Sequence, residues 1–273
     1  MRTILGWMLV SMPAVLLATG CTGSNSNFDA RGVVFYCDGA GGGGITSWAG
    51  GVKQGFKQAG FQGTVHMFSW ETQLGVLAEQ DVPEQYKIDK GHELAKQMAQ
   101  YMNQYPNAPV DLVGLSAGTD VALHALEALP RGKMVDTVVL LSSSMSYTYD
   151  LMNALRHVRG DMYVTTSRRD EILGVGAAMA GTADRKHVDS AGIHGFRMPA
   201  GASAETRRLY ARVVNLAWRP EYEKYGDFGH HTDTAKASFI EHVIAPLIIR
   251  EGPRHMAMHE HGSARTYRSP RDQ

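Results

Sequence analysis

The sequence predicts an α/β fold: a mostly parallel sheet of about six strands with helices on both faces. Three observations predict it. Short, nearly unbroken apolar runs recur along the chain, such as "GVVFYC", "PVDLVGL" and "MVDTVVLLS", as strands buried on both faces require. Segments of helical period separate these runs, and strand alternating with helix around one core gives a parallel sheet. The 273 residues are 44% hydrophobic and 20% charged, which is enough apolar mass for one good-sized core.

Each element follows in order. Residues 32–37 are the first strand. The stretch 46–59 reads as a helix weakened by Gly50, Gly51 and Gly55, because glycine gives up the most backbone freedom on folding. "TVHMFSW" (64–70) is the second strand. Over 87–104 a helix places Leu94, Met98, Tyr101 and Met102 on one face. "PVDLVGL" (109–115) is the third strand, and the helix after it, 117–129, stops at Pro130. Residues 134–142, 161–167 and 212–218 supply the remaining strands, with a helix near 150–158. Between 172 and 205 the chain is rich in glycine and alanine without clear period and reads as an irregular excursion over the carboxyl edge of the sheet. The last helix, 234–249, carries Phe239, Ile240, Val243, Ile244, Leu247 and Ile248 at helical spacing, with Pro246 disturbing its final turn.

The two ends of the chain are not part of this core. Arg2 and the apolar stretch "ILGWMLVSMPAVLLATG" read as a secretion signal, since Pro13 interrupts the run and polar sequence follows at once. Cys21, placed directly after small residues, resembles the lipidation site of bacterial lipoproteins. That resemblance implies an acylated Cys21 holding the protein to the cell envelope, and Thr22 in the next position points to the outer membrane. An ordinary signal with an unmodified Cys21 would leave the protein periplasmic or secreted. The expected organisation is a signal peptide over 1–20, a polar tether over 21–31, one domain over 32–250 and a disordered tail over 251–273. Lys plus Arg equals Asp plus Glu at 27 each, so no basic surplus is available for a nucleic-acid partner. With Cys21 lipidated, only Cys37 remains, and it reads as a buried small apolar residue.

The chemistry centres on "VDLVGLSAGTD", in which Gly114, Ser116 and Gly118 form G-x-S-x-G between an apolar strand and an apolar helix. A serine in a sharp strand-to-helix turn crowds its neighbours, so the flanking positions must be nearly free of side chains. A serine hydroxyl alone is a poor nucleophile; it needs a base, and the base needs an orienting acid. Asp170 lies just past the fifth strand, with Glu171 beside it as the fallback. "YGDFGHHTDT" lies after the sixth strand and before the last helix, where the base belongs. His231 is the expected base and His230 the alternative, with Thr232 and Asp233 free to cap the following helix.

"VDLVGLSAG", "SRRDEIL" and "GDFGHHTDT…FIEHVIAPLI" resemble the bacterial α/β-hydrolase (serine hydrolase) superfamily over about residues 32–249. His231-Thr232 match the end of a Gly-Gly-His-Thr block of one branch, with His230 in place of the second glycine. The resemblance implies the minimal α/β-hydrolase form of the fold and a Ser116–Asp170–His231 triad. It also implies an oxyanion hole built from the N–H of Ala117 and one from the loop after the first strand, at Ala40 or Gly41, with Asp38 fixing that loop. The expected activity is hydrolysis of small-molecule or lipid carboxylic esters, with no metal and no organic cofactor. Two other readings stand beside it. The chain could be a non-catalytic envelope lipoprotein that keeps the fold for binding. Gly39, Gly41 and Gly44 also satisfy G-x-G-x-x-G, and Glu71 could hold a ribose, which would make it a dinucleotide-binding protein.

Overall fold

The computed structural model describes residues 30–41, 47–72, 82–174 and 181–251. The expected signal peptide, Cys21, the tether before residue 30, Gly44 and the tail after residue 251 lie outside them.

Six strands, β1 (Val33–Cys37), β2 (Thr64–Phe68), β3 (Val110–Leu115), β4 (Val138–Leu141), β5 (Met162–Thr166) and β6 (Val213–Ala217), form one sheet in the order β2-β1-β3-β4-β5-β6. Every pairing is parallel. The helices are α1 (Ala49–Gln58), α2 (Glu84–Gln104), α3 (Gly118–Ala128), α4 (Met152–Leu155), α5 (Ala191–His194) and α6 (Ala204–Tyr210). A terminal helix, α7, runs through three consecutive segments, Ala237–Phe239, Ile240–Ile244 and Ala245–Glu251.

Strand order and chirality together place the helices. The step from β1 to β2 goes one way along the sheet and every later step goes the other. Right-handed crossovers therefore put α1 on one face and α2 to α6 on the opposite face. The core divides accordingly. Phe35, Leu112, Leu94, Met98 and Val121 pack on one side of the sheet. Tyr36, Val113, Phe56, Ile240 and Ile244 pack on the other, where α7 returns to lie against α1. Alternate residues of β1 serve opposite faces, Val33, Phe35 and Cys37 against Val34 and Tyr36, as strand geometry requires. The inner strands β1, β3 and β4 are wholly buried, while the edge strands β2 and β6 are largely half-exposed.

Some elements differ from the sequence expectation for identifiable reasons. The expected helix at 150–158 is a single turn. The Arg212 guanidinium takes up the carbonyl oxygens of Leu155 (2.7 Å) and Val158, and Val158 is drawn into a parallel bridge with Val135. Helix α2 begins earlier than expected, directly after Pro83. In α7 the segment Ile240–Ile244 is a π-helix, with the N–H of Ala245 donating to the carbonyl of Ile240. Pro246 has no N–H and its ring would strike the carbonyl four residues back in an α-turn, and the wider turn beside it relieves that clash. The excursion over 172–205 carries a helical turn at 171–174 and α5, and the strand-like pair Ser146 and Ser190 bridges it to the segment after β4.

Two features seat α3, the helix that follows β3. Gly91 lets α2 approach closely, since a Cβ there would lie 2.5 Å from His124 Cβ. A buried ion pair, Lys87 Nζ to Asp120 Oδ2 at 2.9 Å, then locks α2 to the first turn of α3. β1 and β3 are neighbours whose following connections leave in opposite directions, so a crevice opens between their carboxyl ends.

Candidate active site

Ser116 stands at that crevice, one residue past β3. Its φ is +50°, a left-handed conformation that costs a non-glycine residue on the order of 1–2 kcal/mol. The turn is held from both sides. The Ser116 N–H donates to Leu141 O of β4 at 2.9 Å, and Ser116 O accepts from the Thr119 N–H and, at 2.6 Å, from Thr119 Oγ1. The flanking glycines are steric necessities. A Cβ on Gly114 would lie 2.9 Å from Thr119 Cα, and one on Gly118 would lie 2.3 Å from Asp38 O and 2.4 Å from Cys37 O.

Ser116, His231 and Asp170 form one hydrogen-bonded chain across three loops at the carboxyl edge. His231 Nε2 is 2.7 Å from Ser116 Oγ, and His231 Nδ1 is 2.8 Å from Asp170 Oδ2. Asp170 is 3% exposed and His231 8%. An ionised carboxylate can only accept, so the proton of a neutral imidazole sits on Nδ1, which leaves Nε2 free to accept from the serine hydroxyl. The second carboxylate oxygen of Asp170 accepts from the N–H of Leu173 at 2.9 Å. Glu171 and His230, the fallback acid and base, are both exposed. The backbone N–H of His230 donates to Asp233 Oδ2 at 3.2 Å.

The loops bearing the acid and the base are joined to each other. Ser167 Oγ donates to Gly229 O (2.7 Å) and accepts from the N–H of Arg169 (3.1 Å). The Arg169 guanidinium lies 3.8 Å over the Trp218 ring, and Trp218 Nε1 donates to Asp227 O at 3.0 Å. Two carboxylates shape the turn before His231. Asp227 Oδ1 accepts from the N–H of Gly229 (2.8 Å), and Asp233 Oδ2 accepts from those of Phe228 (3.0 Å) and His230. Asp233 thus ties down the loop instead of capping a helix, and neither it nor Thr232 makes a side-chain cap. Burial pushes the Asp227 carboxyl up from 3.8 to about 6. Nothing in the sequence singled out Ser167 or Asp227, because their partners are set by tertiary packing.

On the other side of Ser116 lies the loop after β1. Asp38 is fully buried and accepts four hydrogen bonds, from Tyr36 Oη (2.7 Å), the Gly39 N–H (2.9 Å), Ser47 Oγ (2.9 Å) and the Trp48 N–H (3.0 Å). Burial, followed by the neighbouring Asp38, holds the Tyr36 hydroxyl well above its ordinary pKa. Trp70 Nε1 donates to Asp38 O at 2.8 Å, so the loop is pinned from β2 as well. It abuts the serine, since a Cβ on Gly39 would lie 3.5 Å from Ser116 Cβ. Ala40 and Ala117 are buried beside it, and Gly41 takes φ +85°. Among the described residues the N–H of Ala117 meets no acceptor. One oxygen of Glu71 accepts from the adjacent Trp70 N–H at 3.0 Å.

Cys37 ends β1 wholly buried, and burial pushes its thiol pKa up, so it stays a protonated apolar filler. The described residues contain no group of three or more His, Cys, Asp or Glu side chains placed to hold a metal ion. Among them, no helix is long and apolar enough to cross a membrane.

No protein-family model matches the chain, and no curated protein sequence matches it. Among solved structures it is similar to carboxyl esterase 2 from the mycorrhizal fungus Tuber melanosporum, at 11% identity and a TM-score of 0.35, over 82% of this chain and 78% of that one. A likeness of that degree fixes neither the fold nor the chemistry, and both rest on the geometry above.

Proposed function

We propose that the chain is a serine hydrolase that cleaves carboxylic esters through an acyl-enzyme, in the manner of the α/β-hydrolase superfamily. The observation that carries this reading is the unbroken relay from Ser116 Oγ through His231 to Asp170, with links of 2.7 and 2.8 Å. It stands at the crevice where open α/β sheets bind ligands. Structural serines in tight turns have no need of a buried imidazole oriented by a buried carboxylate.

In this mechanism Ser116 Oγ attacks the acyl carbonyl carbon while its proton passes to His231 Nε2. Asp170 holds the ring in the productive tautomer and stabilises the imidazolium that forms. The carbonyl oxygen becomes an oxyanion, met by the N–H of Ala117 and one from Ala40 or Gly41. His231 then returns the proton to the departing alkoxide, which leaves as the alcohol. Water attacks the remaining acyl-enzyme with the same base, releasing the acid and restoring Ser116. The substrates are small or acyl-chain esters, and no metal or cofactor takes part. A leader ending in a lipidated Cys21 would place this activity in the cell envelope, at the outer membrane.

A fluorophosphonate probe tests the reading directly. The folded chain should be labelled once, and Ser116→Ala should lose the label while unfolding at the same urea concentration. A properly folded wild type that takes no label would instead identify a binding protein that keeps the fold without the chemistry.

A further inference from the structure

Because all six strands are parallel, their amino ends lie at one edge of the sheet, opposite Ser116. The segments leading into them are residues 30–32, 57–63, 103–109, 128–137, 155–161 and 207–212. Together these contain nine Lys and Arg, two Asp and no Glu, in a chain that carries 27 of each sign overall, and Glu205, just outside them, pairs with Arg156 at 3.2 Å. One of the two acids, Asp161, is buried, and the other, Asp136, is paired with Arg159. Lys57, Arg131, Arg207 and Arg208 are exposed and have no carboxylate partner among the described residues. Each segment touches the next along the edge: Gly63 packs on Gly32 and Gly32 on Pro109, Lys133 Nζ donates to Asn103 Oδ1, His157 Nδ1 meets Lys133 O at 2.8 Å, and Arg212 reaches the carbonyls of Leu155 and Val158. The positive charge is therefore gathered on one face.

Arg31 and Gly32 lead into β1 at this same edge, so the described residues begin at the basic face. The polar stretch 22–29 can span at most about 29 Å even when fully extended. A membrane attachment at Cys21 would keep the basic edge near the bilayer, free to approach within the Debye length of about 8–10 Å over which its charges act.

We propose that the amino edge of the sheet is a docking surface for an anionic phospholipid bilayer, with Lys57, Arg131, Arg207 and Arg208 spread along it. Headgroup phosphates meet these cations while the chain before residue 30 reaches the membrane beside them. A single acyl anchor or a basic patch alone gives weak, reversible attachment, whereas the two together hold stably. The inference does not depend on the proposed chemistry, because it concerns the edge away from Ser116.

Flotation of the full-length chain with vesicles tests it, comparing pure phosphatidylcholine with a mixture containing 30% phosphatidylglycerol. Partitioning into the anionic vesicles should be at least tenfold stronger and should weaken steadily as salt is raised. Replacing Arg131→Glu, Arg207→Glu and Arg208→Glu together should remove that tenfold preference. Lys90→Glu, Lys96→Glu and Lys224→Glu together, the same charge change away from this edge, should leave most of it. If the reversals disturb folding, Arg131→Gln, Arg207→Gln and Arg208→Gln ask the same question with a smaller expected loss, about threefold. Equal partitioning into both vesicles overturns the proposal, as does an equal loss in the two reversal sets, which would make the attraction one of net charge and not of this face.

Discussion

Asp170→Asn isolates what the acid does, because the structure dictates which way the new amide must point. One oxygen of Asp170 accepts from the N–H of Leu173 at 2.9 Å and the other from His231 Nδ1 at 2.8 Å. An asparagine has only one oxygen. If that oxygen keeps Leu173, the NH2 group faces Nδ1, which must then be an acceptor. The ring proton moves to Nε2 and points at Ser116 Oγ, so the base can no longer take the serine proton. Turning the amide the other way restores the ring but leaves the Leu173 N–H unsatisfied in a buried turn, at a cost of about 1–3 kcal/mol. The wrong tautomer is therefore preferred. The expected loss in kcat is about 10³–10⁴-fold, equivalent to roughly 4–5.5 kcal/mol of transition-state stabilisation. Burst-phase and steady-state hydrolysis of a nitrophenyl ester measure it, with urea unfolding confirming that stability changes by less than about 1 kcal/mol. A correctly folded Asp170→Asn with activity within tenfold of wild type would refute the assignment of the acid, and with it the relay.

Two further expectations concern stability. Gly118→Ala should cost more than about 3 kcal/mol, because its Cβ would press within 2.3 and 2.4 Å of the Asp38 and Cys37 carbonyl oxygens, backbone atoms that cannot rotate away. Gly50→Ala, in α1 with open space around it, should instead gain about 0.5–1 kcal/mol in the same urea titration. The Asp227 carboxyl is raised from 3.8 to about 6, so between those values the folded chain holds a proton that the unfolded chain releases. Its contribution to stability is therefore greatest at the acid end of that window and falls as pH rises to 6, by at most about 3 kcal/mol. Asp227→Asn should flatten that part of the pH–stability curve and raise stability at pH 8, and parallel curves for the two proteins would contradict the assignment.

Much of the architecture was legible because burial on both faces forces continuous apolar strands. "VVFYC" and "VDLVGL" could not serve as half-exposed strands, and alternation with helices implied a parallel sheet. The position of Ser116 was legible for a similar reason: only glycine fits where the turn presses on β1 and on Thr119. The choice between His230 and His231 was open because adjacent residues at one loop position carry no periodicity to separate them. Which ring turns inward depends on the clamp that Asp233 and Asp227 place on residues 228–230. The short α4 and the π-turn of α7 were hidden because their causes are remote or local exceptions. The first depends on Arg212, more than fifty residues along the chain, and the second on a proline whose ring the helix accommodates by widening instead of ending.

The hydroxyl of Ser167 has a mechanical consequence. By bonding the carbonyl of Gly229 it ties the turns after β5 and β6 into one piece, so acid and base shift in step when the rim breathes. The serine turn is fastened separately, to β4 through Leu141 and against β1 through Gly118. Ser142, after β4, links the two sets of fastenings, its N–H donating to Thr165 Oγ1 of β5 and its hydroxyl meeting Thr234 Oγ1, so the rim moves as one braced piece around the His231 ring.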